Sequence, residues 1–298
     1  MSSSSYYGRP IVKPHVWKPY IPWYFWIGGT AGAASVQCVA ARARGEHALA
    51  TVYKRTVLAA VMIAPVLLVA DLGVPSRFMN MLRVFKPTSP MNVGSWILTA
   101  FGGAVSASTA AELLGWERTS RALEVVTAAF GPGLTVYTAV LVTDTATPVW
   151  HEARETLPFV FAASGVAGAA SIGVMFAPHE QSRLARRLMV LGALALPVGG
   201  QVMERELGSF QAEPYRMGKG GSFRRMSGAL ALAGAAVAII GGRSRTLTRV
   251  AAVCVAAAGI FERFAVTAAG KQSAADPKYV VQQQRERIGA RDDQAVRP

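Results

Sequence analysis

The stretch YKRTVLAAVMIAPVLLVAD at residues 53–71 decides the fold class. From Thr56 to Ala70 it holds no charged residue, it contains Pro65, and it stops at Asp71. A run of about 19 mainly apolar residues matches the length a helix needs to cross a hydrocarbon layer of roughly 30 Å. In that layer a backbone must satisfy its own polar groups, which a helix does. Outward from this run the whole chain has the same character. Of its 298 residues 52% are hydrophobic and only 16% charged, with a mean hydropathy of +0.30, whereas soluble domains carry about 25% charged residues.

A window of about 19 residues places spans near 22–41, 53–71, 92–111, 123–143, 156–177, 184–204, 223–242 and 247–269. The expectation is an all-α integral membrane protein with eight transmembrane helices. Residues 1–21 form an N-terminal tail, 22–270 the membrane domain and 271–298 a basic C-terminal tail. Eight spans of about 20 residues occupy roughly 160 residues, leaving no room for a soluble catalytic domain. Pro65 before Asp71 and Pro197 before Glu204 suggest a repeat of four plus four helices, that is, two four-helix bundles. Gly28 to Gly32 and Gly165 to Gly173 supply small residues at the spacing that lets membrane helices approach closely.

Composition also excludes. The net charge of +14 is scattered in small groups between apolar runs, unlike the basic stripe of a nucleic-acid binder. Cys38 and Cys254 each sit inside an apolar run, and the chain has no further cysteine for an iron–sulfur cluster or a zinc finger. His15, His47, His151 and His179 all fall outside the spans, so no pair is placed to hold a haem between helices. Residues 1–22 carry four prolines and no apolar core before Ile21, which does not read as a cleavable signal peptide. No phosphate loop, nucleophile elbow, zinc helix or dinucleotide turn occurs at a usable position.

Four features carry chemistry. The segment DLGVPSRFMNMLRVFKPTSPMNVGSW at 71–96 mixes Arg77, Arg83 and Lys86 with Phe78, Met79, Met81, Leu82 and Phe85, and its three prolines forbid a continuous helix. Irregular backbone near membrane depth lies against protein or a cavity, so this segment reads as a pocket wall or docking surface, or else as an interfacial loop. Asp71 closes an apolar run where a carboxylate is costly unless paired or wet; it either carries protons, or caps the following turn or pairs with Arg77. Glu112, Asp144, Glu204 and Glu262 are further proton-path candidates, and Glu262 beside Arg263 forms the deepest charge pair. Trp17, Tyr20, Trp23, Tyr24, Phe25 and Trp26 crowd the start of the first span as an aromatic belt or as a slot for a flat lipid-soluble ring. In that second reading Tyr24 or Tyr137, the latter in a span interrupted by Gly131-Pro132-Gly133, donates a hydrogen bond to a carbonyl.

IPWYFWIGGTAG at 21–32, the 71–96 segment, ATPVWHEARETLPFVFAASG at 146–165 and ERFAVTAAGKQSAADPKYVVQQQRER at 262–287 resemble the NrfD/PsrC family of polysulfide-reductase-type membrane subunits. The resemblance implies a haem-free anchor, in the inner or plasma membrane of a prokaryote. Such an anchor exchanges electrons between menaquinone and a four-cluster ferredoxin-like iron–sulfur subunit, itself bound to a molybdopterin catalytic subunit of the formate dehydrogenase or polysulfide reductase kind. By position it makes Asp71, Arg77 and Tyr137 quinone-site residues, with Tyr24 beside them and Arg83 and Lys86 as partner docking. The asparagine and histidine that such members carry near the first span are replaced here by Trp23 and Tyr24. From the residues alone, a secondary transporter with inverted repeats or a purely structural anchor are the alternatives.

Overall fold

The computed structural model describes residues 11–13, 15–72, 74–282 and 284, with the side chains of Arg77 and Phe78 outside the described set. Among the described residues every regular element is helical. Eight helices have 20 or more residues: α1 Tyr20–Ala43, α2 His47–Asp71, α3 Pro90–Leu113, α4 Glu117–Thr143, α6 Leu157–Phe176, α7 Arg183–Glu206, α10 Gly218–Ile240 and α11 Arg245–Ala275. Short helices α5 Pro148–Glu152, α8 Gly208–Gln211 and α9 Glu213–Arg216 lie in the connections. Five of the long ones, α2, α4, α6, α10 and α11, are long and apolar enough to cross a membrane. The chain is therefore an all-α, multi-pass membrane protein.

Each expected span falls on one of the eight helices, but the crossings shown by length and composition number five. α1, α3 and α7 have 24 residues each, about 36 Å of helix. Their hydropathy is diluted by Gly, Ser and Thr in α1 and α3 and by Arg183, Arg186 and Arg187 in α7. Helices also outrun the apolar windows. α4 starts at Glu117, α10 at Gly218, and α11 continues to Ala275, because a charged turn extends a helix without raising its hydropathy. The connection at 205–222 is itself mostly helical, broken at Gly208 (φ 70°) and Gly218 (φ 63°), left-handed positions that favour glycine.

Packing divides the helices into two sets of four. α1 packs on α2 and α4, and α3 on α4, while α2 and α3 barely touch. In the second half α6 packs on α7 and α11, and α10 on α11 and α7. The halves join along α1 and α6, with α4 and α11 closing the seam. Large apolar side chains such as Met62, Ile63, Val66, Leu191, Val198 and Ile240 point outward, an arrangement suited to lipid.

Glycines set the closest approach. A Cβ on Gly32 would stand 2.4 Å from the Gly131 carbonyl oxygen, and one on Gly131 would stand 2.5 Å from that of Gly32. The α1 and α4 backbones therefore touch reciprocally. Gly165 in turn lies against Gly29, where an added Cβ would meet the Gly29 carbonyl oxygen at 2.8 Å. Gly28, in the same small-residue motif, faces open space. Replacing Gly32 or Gly131 by Ala should destabilise the detergent-purified protein by about 1–3 kcal/mol through overpacking, whereas Gly28→Ala should leave its melting temperature unchanged; thermal unfolding of the three variants checks the contrast.

Candidate functional site

The α1–α4 crossing brings together two tyrosines 113 residues apart in sequence. The Tyr24 and Tyr137 hydroxyls hydrogen-bond to each other in the buried interior. Tyr137 has room because residue 94 is glycine: a Cβ there would lie 2.4 Å from the tyrosine ring. Gly94 thus gives a physical role to the Gly94-Ser95-Trp96 end of the 71–96 segment. The tyrosines floor a pocket of about 490 Å³, counting its open mouth, with walls from Leu68 of α2, Met91, Ser95, Leu98 and Thr99 of α3, and Leu141 of α4. Met81 and Leu82 form its lip. Apolar walls with a few converging polar groups are the usual make-up of a small-molecule site.

The lip is held from α3. Pro75–Leu82 forms a 3₁₀ segment, as the prolines require of an irregular connection. Asn92, in the first turn of α3, donates from Nδ2 to the carbonyls of Met81 (2.7 Å) and Val84 (2.9 Å) and accepts from the Lys86 backbone N–H at 2.6 Å. Phe85 packs edge-on against Trp96. Arg83 and Lys86 are exposed on this segment. Arg77 lies on the 3₁₀ segment, but its side chain is outside the described residues, as is therefore its expected pairing with Asp71. Asp71 ends α2, one turn beyond Leu68, and its Oδ1 accepts from the Lys18 backbone N–H at 2.9 Å.

The expected proton-path acids do not gather at one place, although Glu204 and Glu262 share a partner. Glu112 is exposed and pairs with Lys54 at 2.7 Å. Lys54 also pairs with the buried Glu124 at 3.0 Å, and Glu124 with Arg42 at 2.9 Å. Ser120 accepts from Lys54 at 2.7 Å. These groups line a cleft of about 940 Å³ including its opening, at the end of the first four helices away from the chain termini. At the other end of the second four, Arg224 bridges Glu204 and Glu262, each at 3.2 Å, and Arg216 reaches Glu204 at 3.3 Å. Asp144, at the end of α4, is exposed.

The expected pairing of Glu262 with Arg263 is not what forms. Adjacent helical residues point about 100° apart, so Glu262 faces α10 and takes Arg224. Arg263 faces α6 instead, where its guanidinium lies 3.4 Å from the Phe161 ring centroid and donates to the Phe161 carbonyl at 3.0 Å. Sequence reasoning also missed Glu124, Lys54, Arg42, Arg224 and Asn92. A charge recurring inside the first two turns of α4, Glu124 after Glu117, was the available signal for the first network.

On the face that carries the described chain ends, His15 packs edge-on against Trp17 and Trp150, with ring centroids 4.7 and 4.6 Å away. Burial, and then the charge of Lys271, push its imidazole below the ordinary histidine range, so it stands neutral at pH 7. Nearby, Lys278 donates to Glu213 at 2.8 Å. That bond and one from Tyr279 hold the Glu213 carboxyl below the usual carboxylate range. Among the described residues no group of three or more His, Cys, Asp or Glu is placed to hold a metal ion.

A family model described as polysulphide reductase, NrfD, matches residues 11–199, well over half of the chain. No curated protein matches it. The matched region contains both tyrosines, the 71–96 segment and the Lys54–Glu124 network, while the Arg224–Glu262 network lies beyond it.

Two variants test this geometry. Asn92→Ala removes three hydrogen bonds from the lip, so trypsin should cut after Arg83 several times faster than in the parent protein, read by mass spectrometry. Glu124→Ala leaves Lys54 and Arg42 without their shared buried partner, and unfolding in detergent should show a loss of about 3 kcal/mol, against little change for the exposed Glu117→Ala.

Proposed function

Because the chain belongs to the polysulphide reductase NrfD family, a membership that implies a membrane subunit of a quinone-interacting oxidoreductase complex, we propose that it is the quinone-binding anchor of such a complex. The observation that carries this reading is the Tyr24–Tyr137 pair at the floor of an apolar pocket whose lip is the 71–96 segment. A quinone carbonyl accepts well from a phenol, and an apolar wall suits the ring and the start of an isoprenoid tail. Ring insertion exchanges the hydroxyl–hydroxyl contact for one or two hydroxyl–carbonyl bonds, so no buried donor is left unpaired. Menaquinone is the quinone we assign, on family grounds.

All eight long helices cross the prokaryotic plasma membrane in this reading, α1, α3 and α7 included. Exposed Arg83 and Lys86, beside the pocket lip, dock a four-cluster ferredoxin-like iron–sulfur subunit. That subunit carries electrons between the quinone and a molybdopterin catalytic subunit of the formate dehydrogenase or polysulfide reductase kind. The chain itself supplies binding and protons. Glu112, Lys54 and Glu124 offer a polar route into the first four helices, and Glu204 and Glu262 one into the second. A repeat of four antiparallel crossings keeps its direction, so the two halves run in parallel and not inverted, which favours the anchor over an inverted-repeat transporter.

Purification from native membranes by a tag on this chain should bring down iron, molybdenum or tungsten, and quinone; a metal-free chain that transports solute would overturn the reading. Within the assembled complex, Tyr137→Phe and Tyr24→Phe should each raise the KM for quinone roughly 3- to 10-fold, the worth of one hydrogen bond. Titration with a naphthoquinone should follow the same order.

A further inference from the structure

The segment before α1 is held in an unusual way. Trp17 contributes its carbonyl oxygen to Lys271 Nζ, and Lys18 contributes its N–H to Asp71 Oδ1 at 2.9 Å. These two atoms belong to one and the same peptide unit. Its dipole therefore points from a carboxylate at the end of α2 to an ammonium near the end of α11, with each pole against the charge that stabilises it. Stacked rings fix the side chain of the same residue: Trp17 lies on Trp150 of α5 at 5.4 Å and 19°, and Trp150 donates to the Val266 carbonyl of α11 at 2.8 Å.

We infer that Asp71 and Lys271 form a two-ended clamp on the Trp17–Lys18 peptide, and that Asp71 is a positioning residue for the pocket and not a carrier of protons. The clamp ties α2, of the first four helices, to α11, of the second, through the chain leading into α1. Both ends of the Asp71–Lys18 bond are close to the pocket by chain connection. Leu68, a wall residue, lies one turn before Asp71, and Tyr24, a floor residue, lies in the second turn after the strap enters α1 at Tyr20. Holding Lys18 to Asp71 thus fixes the α1 wall against the α2 wall. Asp71 Oδ1 accepts from the Lys18 backbone N–H, a role that needs an acceptor oxygen and no exchangeable proton. The inference rests on the quinone reading only for its effect on turnover; the clamp itself does not.

The test uses the complete complex and four variants: Asp71→Asn, Asp71→Ala, Lys271→Met and the double variant Asp71→Ala/Lys271→Met. Asn keeps an Oδ1 acceptor and loses the titrating proton. Chymotrypsin cleaves after Trp17, at the clamped bond itself, and mass spectrometry reads that cut. Cleavage should quicken at least 5-fold in Asp71→Ala and in Lys271→Met, with no further gain in the double variant, and stay within 2-fold of the parent in Asp71→Asn. Quinone KM should rise in the same three variants, and the pH profile of kcat in Asp71→Asn should keep the shape it has in the parent. Unchanged cleavage in Asp71→Ala and Lys271→Met overturns the clamp. An Asp71→Asn protein that resists chymotrypsin yet loses turnover or shifts its pH profile restores the proton role to Asp71. If Tyr24→Phe and Tyr137→Phe both leave quinone titration unaltered, the quinone reading fails while the cleavage result stands on its own.

Discussion

Backbone-to-backbone contact between Gly32 of α1 and Gly131 of α4 is the constraint on which the remainder depends. In lipid the solvent is as apolar as the helix surface, so helices associate by close packing and polar contacts and not by escape from water. A reciprocal glycine contact lets two helices meet at the backbone, where a larger residue would hold them apart. Everything in the pocket inherits that spacing. Tyr24 lies two turns before Gly32 and Tyr137 lies nearly two turns after Gly131, so antiparallel helices touching at the glycines meet again at the tyrosines. Gly94 then admits the Tyr137 ring from the side of α3.

The parts legible in the sequence were those that local pattern determines. Apolar runs marked the eight long helices, prolines marked the irregular segment after Asp71, and the small residues of the first span marked a close crossing. Tyr24 and Tyr137 were picked out separately, one by its place in an aromatic cluster and one by an interrupted helix; only the fold shows that they touch. The ion networks stayed hidden for a reason of distance along the chain. Arg42 meets Glu124 across 82 residues and Arg224 meets Glu262 across 38, and no spacing rule relates such partners. Where a local pairing was expected, between Glu262 and Arg263, helix geometry sends the two side chains to different neighbours. Asn92 was invisible because its partners are backbone groups, two carbonyls and an N–H, which every sequence has.

The two networks differ in place as well as in partners. The Lys54–Glu124 group sits at the end of the first four helices opposite the chain termini, and the Arg224–Glu262 group toward the termini in the second four. Both are arrays of alternating sign, the arrangement that offsets the cost of removing ions from water. Arg263 differs: its fully buried guanidinium has an aromatic face and one carbonyl, bonded through Nη2, while among the described residues Nε and Nη1 find no hydrogen-bond partner. Among the described residues no carboxylate pairs with it, so the seam between the halves carries a cation held by a ring and a backbone carbonyl.

The thin contact between α2 and α3 has its own meaning for the pocket that lies between them. In the quinone reading, a site whose doorway lies between two loosely packed helices is supplied from the bilayer and not from the aqueous phase. Its occupancy follows the mole fraction of ligand among the lipids, set by partitioning and two-dimensional diffusion. In the proposed quinone reading, chain length and bulk of an isoprenoid tail select what arrives before the tyrosines select what binds.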